Sequence, residues 1–144
     1  MAMCRIVLRS DLRESGYEPP AYGWWFMGGD TWFSELADEL ARCLVDAREC
    51  ATACERLLEF ARRDEHQKDI FDALVAPIAV SRVLIDLIDH PPQLALAAAR
   101  LLADSAEAAV VTLSRLEHSV EAAQASEALT RAAASSRRLV EAAR

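Results

Sequence analysis

The sequence predicts an all-α fold, namely an antiparallel up-down-up-down four-helix bundle with an aromatic-rich N-terminal arm. Its 144 residues include only four glycines and five prolines, and alanine makes up close to a fifth of the chain. This composition excludes collagen, disordered tails and turn-rich β-sandwiches. From residue 33 onward, apolar residues recur at alternating steps of three and four, as in packed amphipathic helices. We therefore divide the chain into an arm (1–30) and a four-helix bundle (31–144).

The first predicted helix begins near Asp30 or Thr31 and ends before a charged turn at 62–68. Hydroxyl side chains and an early acid at this start suit a helix N-terminus. The apolar positions form one heptad seam, which comprises Phe33, Leu36, Leu40, Cys43, Ala47, Cys50, Cys54, Leu57 and Ala61. Acidic residues fall off this seam, so we expect the seam to face the core.

The second predicted helix spans about residues 69–89. Its seam comprises Phe71, Leu74, Ile78, Ser81, Ile85 and Ile88. Pro77 lies inside this span and predicts a kink or a late start, because proline cannot donate the helical hydrogen bond. His90 precedes two prolines, and a residue before proline avoids the helical region, so we expect the helix to end there.

The third predicted helix runs from Pro92 to about Glu117, and the fourth from about Ser119 to Ala143. The seam of the third comprises Ala95, Ala99, Leu102, Ala106, Ala109, Leu113 and Leu116. A second stripe beside it would let this helix contact two neighbours, and it comprises Leu94, Ala98, Leu101, Ser105 and Ala108. The seam of the fourth comprises Ala122, Ala125, Leu129, Ala132, Ser136, Leu139 and Ala143. Short links between the helices favour antiparallel neighbours.

Charge and hydropathy exclude two classes of partner. The net charge of −7 argues against nucleic acid, because phosphate binding requires a basic surface. No stretch approaches the ~18 apolar residues of a membrane span, so we expect no membrane partner. The first residues contain no apolar signal-peptide region. We therefore expect a cytoplasmic protein whose cysteines stay reduced.

Three of the four cysteines, Cys43, Cys50 and Cys54, share the seam of the first helix. Residues four apart on a helix are neighbours, so Cys50 and Cys54 can direct two sulfurs at one ion. Two thiolates suit a two-coordinate Cu(I) ion and do not complete a tetrahedral zinc site. Cys43 lies about 16 Å along the helix from Cys54 and cannot share that ion. The alternative is that these cysteines pack as small buried hydrophobes.

This arrangement resembles the cysteine-rich four-helix-bundle copper proteins, which include the bacterial copper storage proteins. A helix pattern of that family is C-x3-C-x2-C-x3-C. In this chain its four places are Cys43, Ala47, Cys50 and Cys54, so three of the four are cysteine. The same spacing recurs on the fourth helix without cysteine, at Ala125, Leu129, Ala132 and Ser136. The resemblance implies Cu(I) held on thiolates inside the bundle. The missing thiols make this chain a degenerate member that would hold one or two ions rather than a store.

Two histidines are weaker candidate ligands. His66 lies in the turn between the first two predicted helices, and His118 lies at the end of the third. In an antiparallel bundle these turns share one pole, where the resembled family places soft ligands at the entry. His90 lies at the other pole. The alternative is that both are exposed turn residues.

The arm is the other unusual segment, because seven of the nine aromatic residues precede residue 34. Such an arm could pack over the bundle or a partner chain, or form a lid over a ligand pocket. The leading hypothesis is a small-capacity Cu(I)-binding bundle. One alternative is a repurposed bundle acting as an enzyme, copper-dependent or not, or as a binder of a small-molecule ligand. Another is a structural module with inert cysteines, compatible with a homo-oligomer. No motif assigns catalytic residues, and Cys4 has no assigned role.

Overall fold

The structure, a computed structural model, describes residues 31–63, 65–116 and 119–144, with side chains from Leu36 onward in these ranges. It contains four α-helices: α1 (Thr31–Phe60), α2 (Gln67–Asp86), α3 (Pro92–Leu116) and α4 (Val120–Ala142). Short 3-10 turns follow α1 and α2, at Ala61–Arg63 and Leu87–Asp89. The described residues form no strand, which confirms the prediction of an all-α protein. The arm at 1–30 lies outside the described residues.

The four helices pack around one shared core. α1 packs against α2 and α4, and α3 packs against the same two helices, so α1 and α3 occupy opposite corners of the bundle. A single cluster of buried residues runs through all four helices. The predicted four-helix bundle is thus confirmed in its number of helices and in their mutual packing. Among the described helices, none is both long enough and apolar enough to cross a bilayer.

The seam predicted for α1 is the most completely buried row of the molecule. Each of its members from Leu36 to Ala61 is buried. Phe33, the first member of the predicted seam, has a side chain outside the described part of the helix. Because the apolar residues repeat at heptad spacing, one narrow face of α1 is removed from water while the charged face stays exposed. The three cysteines of α1 therefore lie in the core.

α2 begins at Gln67 and continues through Pro77, so the predicted late start is wrong. Its buried row comprises Ile70, Leu74, Pro77, Ile78, Ser81 and Leu84. The predicted seam residue Phe71 is instead 51% exposed. Ile70, one position earlier, takes the core position, because the buried row steps by four and three from Ile70 through Pro77 to Leu84. Ile85 and Ile88 are partly buried against the same core.

α3 and α4 pack through rows that are mainly alanine. The seam predicted for α3 is buried except for Leu116, which is partly exposed. The predicted second stripe is wrong at Leu94, Leu101 and Ala108, which are exposed on the outer face. All members of the α4 seam from Ala122 to Leu139 are buried.

A side-chain cap fixes the start of α4. Ser119 has an extended backbone and precedes the first helical residue. Its Oγ accepts a hydrogen bond from the backbone N–H of Ala122 at 3.0 Å. This bond satisfies one of the amide groups that a helix N-terminus leaves without an intrahelical partner.

Ion pairs join the helices at the surface. α1 contributes Glu39, Glu49 and Glu55, which pair with Arg138, Arg131 and Arg82. On the other side of α4, Arg137 donates to both carboxylate oxygens of Glu107 at 2.6 Å and to Asp104 at 3.2 Å. These side chains are substantially exposed, apart from the less exposed Glu39. Each pair therefore contributes little to stability, typically between about 0 and 1 kcal/mol.

Truncating a fully buried leucine tests the packing of this core. Leu129 of α4 is completely buried, so Leu129→Ala is expected to lower the free energy of unfolding by about 2–5 kcal/mol. Val45 of α1 is 52% exposed, and Val45→Ala should change it by less than about 0.5 kcal/mol. Urea denaturation followed by circular dichroism measures both values. Equal losses in the two variants would contradict the described packing.

Candidate metal centre

Cys50 and Cys54 form a pair of buried thiols one turn apart on α1. Both are fully buried and free of disulfide bonds. The heptad seam directs both side chains to the core, and the four-residue spacing brings them together on one face of the helix. Each thiol shifts the pKa of the other, and the Cys54 thiol favours the thiolate form of Cys50.

The pKa values of the two thiols are shifted in opposite directions as a result. The pKa of Cys50 is lowered, chiefly by the hydrogen bond from Cys54, although burial opposes this shift. The pKa of Cys54 is raised, because its proton is held by Cys50, because it is buried, and because a second negative charge would lie beside the first. The first proton is therefore lost from the pair more easily than from an isolated buried thiol, and the second is held more tightly.

Ser81 brings a third polar atom to this pair from α2. Its side chain is fully buried, and its Oγ lies near Cys50, where the hydroxyl also favours the thiolate. This contact is not a hydrogen bond of ordinary geometry, and Ser81 Oγ has no other partner among the described residues. A buried hydroxyl without a partner costs free energy, commonly about 1–3 kcal/mol. Ser81 is thus an orphaned polar group beside two thiols.

Cys43 lies in a separate environment nearer the start of α1. Its Sγ is 3.5 Å from Ser136 Oγ of α4, and either atom can donate in this contact. Burial raises the pKa of Cys43 to about 11, against the smaller lowering effect of the Ser136 hydroxyl. The neighbouring Ser135 bonds back to the carbonyl oxygens of Arg131 and Ala132 within its own helix. Cys43 is therefore a protonated core thiol at pH 7.

The remaining candidate ligands do not join the thiol pair. Within 31–63, 65–116 and 119–144, no three residues among His, Cys, Asp and Glu lie close enough together to hold one metal ion. His66 immediately precedes α2, and its Nε2 lies 3.5 Å from Glu65 Oε1. His118 and Cys4 fall outside the described residues. The structure therefore brings Cys50 and Cys54 together but does not add Cys43 or His66 to them.

The serines on the predicted seams lie beside the thiols, and the sequence alone did not predict these contacts. Ser81 and Ser136 both occupied predicted seam positions, on α2 and α4. A serine on an otherwise apolar seam is a signal, because a buried hydroxyl requires a partner. Only the packing of the helices shows which cysteine each serine meets.

The lid hypothesis depends on the arm, which lies outside the described residues. Three surface grooves of the described part are lined mainly by polar and charged side chains. One of them, between α1 and α2, also includes Leu58 and the exposed Phe71. None of the three contains a cysteine. The thiol pair and these grooves are therefore separate features.

Comparisons with known proteins give no match to this chain, whether with protein-family models, with curated proteins or with solved structures. The similarity to copper-binding bundles thus depends on the positions of the α1 cysteines.

The buried Cys43 thiol makes stability depend on alkaline pH. Folding raises its pKa from 9.0 to about 11, so the unfolded chain ionises first. The resulting stabilisation is complete below about pH 9 and is lost toward about pH 11, a change of about 2–3 kcal/mol.

We expect the stability advantage of the wild type over Cys43→Ala to shrink across this pH range. Guanidinium denaturation of both proteins at several pH values measures it. The Cys50–Cys54 pair is present in both and serves as the internal control. A difference that stays constant from neutral pH upward would show that Cys43 is not held protonated.

Proposed function

We propose that this chain binds Cu(I) with low capacity, at a site formed by Cys50 and Cys54 of α1. The observation that carries the proposal is the contact between two fully buried thiols, one of which has a lowered pKa. Thiolates are soft ligands, which favour Cu(I), zinc and iron–sulfur clusters over hard metal ions. A copper ion would be held between two sulfurs of a single helix.

The number of donors favours Cu(I) over zinc. A structural zinc site requires four ligands, whereas the cluster offers two thiols and one hydroxyl. Cu(I) accepts two thiolates, and its single positive charge would leave a complex with one net negative charge. The site would thus select a soft monovalent cation by ligand type and number.

Ser81 supports this proposal through its missing partner. Its hydroxyl lies beside Cys50 without an ordinary hydrogen bond. If both sulfurs are thiolates, this hydroxyl acquires a negatively charged acceptor in a dry environment, where such bonds are strong. Ser81 would then stabilise the loaded site by donating to a ligand sulfur, as groups that hydrogen-bond to metal ligands do in other metal sites.

The acid–base behaviour of the pair is also suited to a cation. Cys50 loses its proton more readily than an ordinary thiol, while Cys54 retains its proton. A bound cation would displace the remaining proton, since metal ligation requires the thiolate form. Cys43 and His66 do not join this pair among the described residues, and His118 lies outside those residues.

We also infer that neighbouring helices of the bundle run antiparallel. Contacts between α1 and α4 support this direction, because the partner number falls as the α1 number rises. Glu39 meets Arg138, Cys43 meets Ser136, and Glu49 meets Arg131. The short links between helices fit the same arrangement.

A Cu(I) competition titration tests the proposed site. The reduced protein is expected to remove one Cu(I) per chain from a chromogenic chelator. Cys50→Ala and Cys54→Ala should each lower the affinity by more than the roughly tenfold to hundredfold cost of outer-shell changes. Cys43→Ala is the matched control, because it removes a buried thiol of the same seam, and it should retain wild-type affinity. Wild-type binding by a Cys50→Ala/Cys54→Ala double variant would overturn the proposal.

The role of Ser81 has a separate test. Ser81→Ala removes the orphaned hydroxyl, so the metal-free protein should be as stable as the wild type or more stable. The same change should weaken Cu(I) binding by about tenfold, as expected when a hydrogen bond to a metal ligand is lost. Thermal unfolding without metal and the chelator titration give the two values. Unchanged copper affinity would show that Ser81 does not contact a ligand sulfur.

A further inference from the structure

The outer face of α3 carries an apolar row that contributes nothing to the core. Leu94, Leu101 and Val111 are between 48% and 59% exposed. Together with their neighbours they form what we call the α3 outer stripe, which comprises Leu94, Ala97, Leu101, Asp104, Ala108 and Val111. All six residues are exposed. A helix that packs only within its own bundle is typically polar on its solvent side.

The spacing of the α3 outer stripe is that of a second helix-packing seam. Its residues follow one another at steps of three and four over its whole length. This is the heptad spacing that keeps one row facing a partner helix. The buried seam of α3, including Ala99 and Leu102, lies on the opposite side. α3 is therefore built to pack on two sides.

Two charged residues beside the stripe indicate which partner fits. Arg100 and Glu107 are both exposed and lie one heptad apart on the same flank of the stripe. If two copies of α3 pair antiparallel, Leu94 lies opposite Val111 of the second copy and Ala97 lies opposite its Ala108. In the centre Leu101 lies opposite Asp104, whose carboxylate bonds to Arg137 of its own copy. Residues on the same flank then face each other, so Arg100 of each copy meets Glu107 of the other. The surface is complementary to itself.

We propose that this chain forms a symmetric dimer in which the α3 outer stripes of two copies pack antiparallel. A two-fold interface must be self-complementary, and the paired Arg100 and Glu107 satisfy this requirement twice. A parallel pairing would instead place Arg100 beside the uncharged opposite flank, where Ser105 lies. Charge complementarity therefore selects both the partner, a second copy, and its direction.

The carboxylates of Asp104 in the stripe and Glu107 on its flank are already held in position within each copy. Arg137 of α4 bonds both oxygens of Glu107 at 2.6 Å and one oxygen of Asp104 at 3.2 Å. Glu107 is thereby presented as a fixed acceptor, which lowers the entropy cost of pairing with a second arginine. Asp104, the one polar member of the stripe, is drawn toward Arg137.

Sedimentation equilibrium of the full-length protein tests the dimer. Arg100→Glu and Glu107→Arg should each raise the dissociation constant of the dimer by about tenfold or more, as for an interfacial charge pair. The triple variant Arg100→Glu/Glu107→Arg/Arg137→Glu restores opposite charges across the two-fold axis and within each copy, so it should recover dimerisation. A triple variant no better than the single ones would overturn the proposal. Circular dichroism verifies that each variant folds.

A second pair of variants separates the stripe from other apolar surface. Leu101→Glu places a charge in the stripe and should give a monomer, whereas Val45→Glu on exposed α1 surface should stay dimeric. If the arm or another protein covers the stripe instead, the purified wild type will be monomeric at all concentrations tested. That result, or equal dimerisation of the two variants, would overturn the proposal.

Discussion

The close approach of small side chains along the buried seams is the constraint on which the rest of the molecule depends. α3 and α4 line the core mainly with alanine, and α1 adds alanine and cysteine between its leucines. Methyl groups fill little space, so the helix axes must lie close together before the interior reaches normal packing density. Polar atoms that enter this interior have no water beside them and must pair with one another.

The behaviour of the three thiols follows from that dryness. Cys43 contacts Ser136 across the bundle and keeps its proton. Beside each other, Cys50 has a lowered pKa and Cys54 a raised pKa. The difference comes from the neighbour and not from burial, since all three are fully buried. The neighbouring thiol thus separates the acid–base behaviour of Cys50 and Cys54 from that of Cys43.

The sequence was sufficient to predict the helices and the seam of α1, because heptad spacing and proline positions are local properties. It was not sufficient to predict which row of α2 faces the core. Phe71 and Ile70 both fit a helical row, and the packing against α1 and α3 decides that Ile70 is buried. The predicted second stripe of α3 failed for a related reason. Periodicity identifies an apolar row but not the side of the bundle on which it lies.

The candidate site was predicted in part for the same physical reason. The four-residue spacing of Cys50 and Cys54 is sufficient to place both sulfurs on one face. Their contact with Ser81 depends on how far α2 is shifted along α1, which no local pattern records. The partner of Cys43 on α4 likewise follows from the packing of two segments far apart in the chain.

The ion pairs between helices follow a rule that bears on how this sequence avoids other folds. In the described helices, the carboxylate of every such pair belongs to α1 or α3, and the guanidinium belongs to α2 or α4. A rearranged bundle with α1 beside α3 would place together two helices that both supply the carboxylates of these pairs, and pairs between helices that are no longer adjacent would be lost. Alanine seams are nearly interchangeable and discriminate poorly among helix orders. The ion pairs favour the observed neighbours, each by the small free energy of an exposed pair.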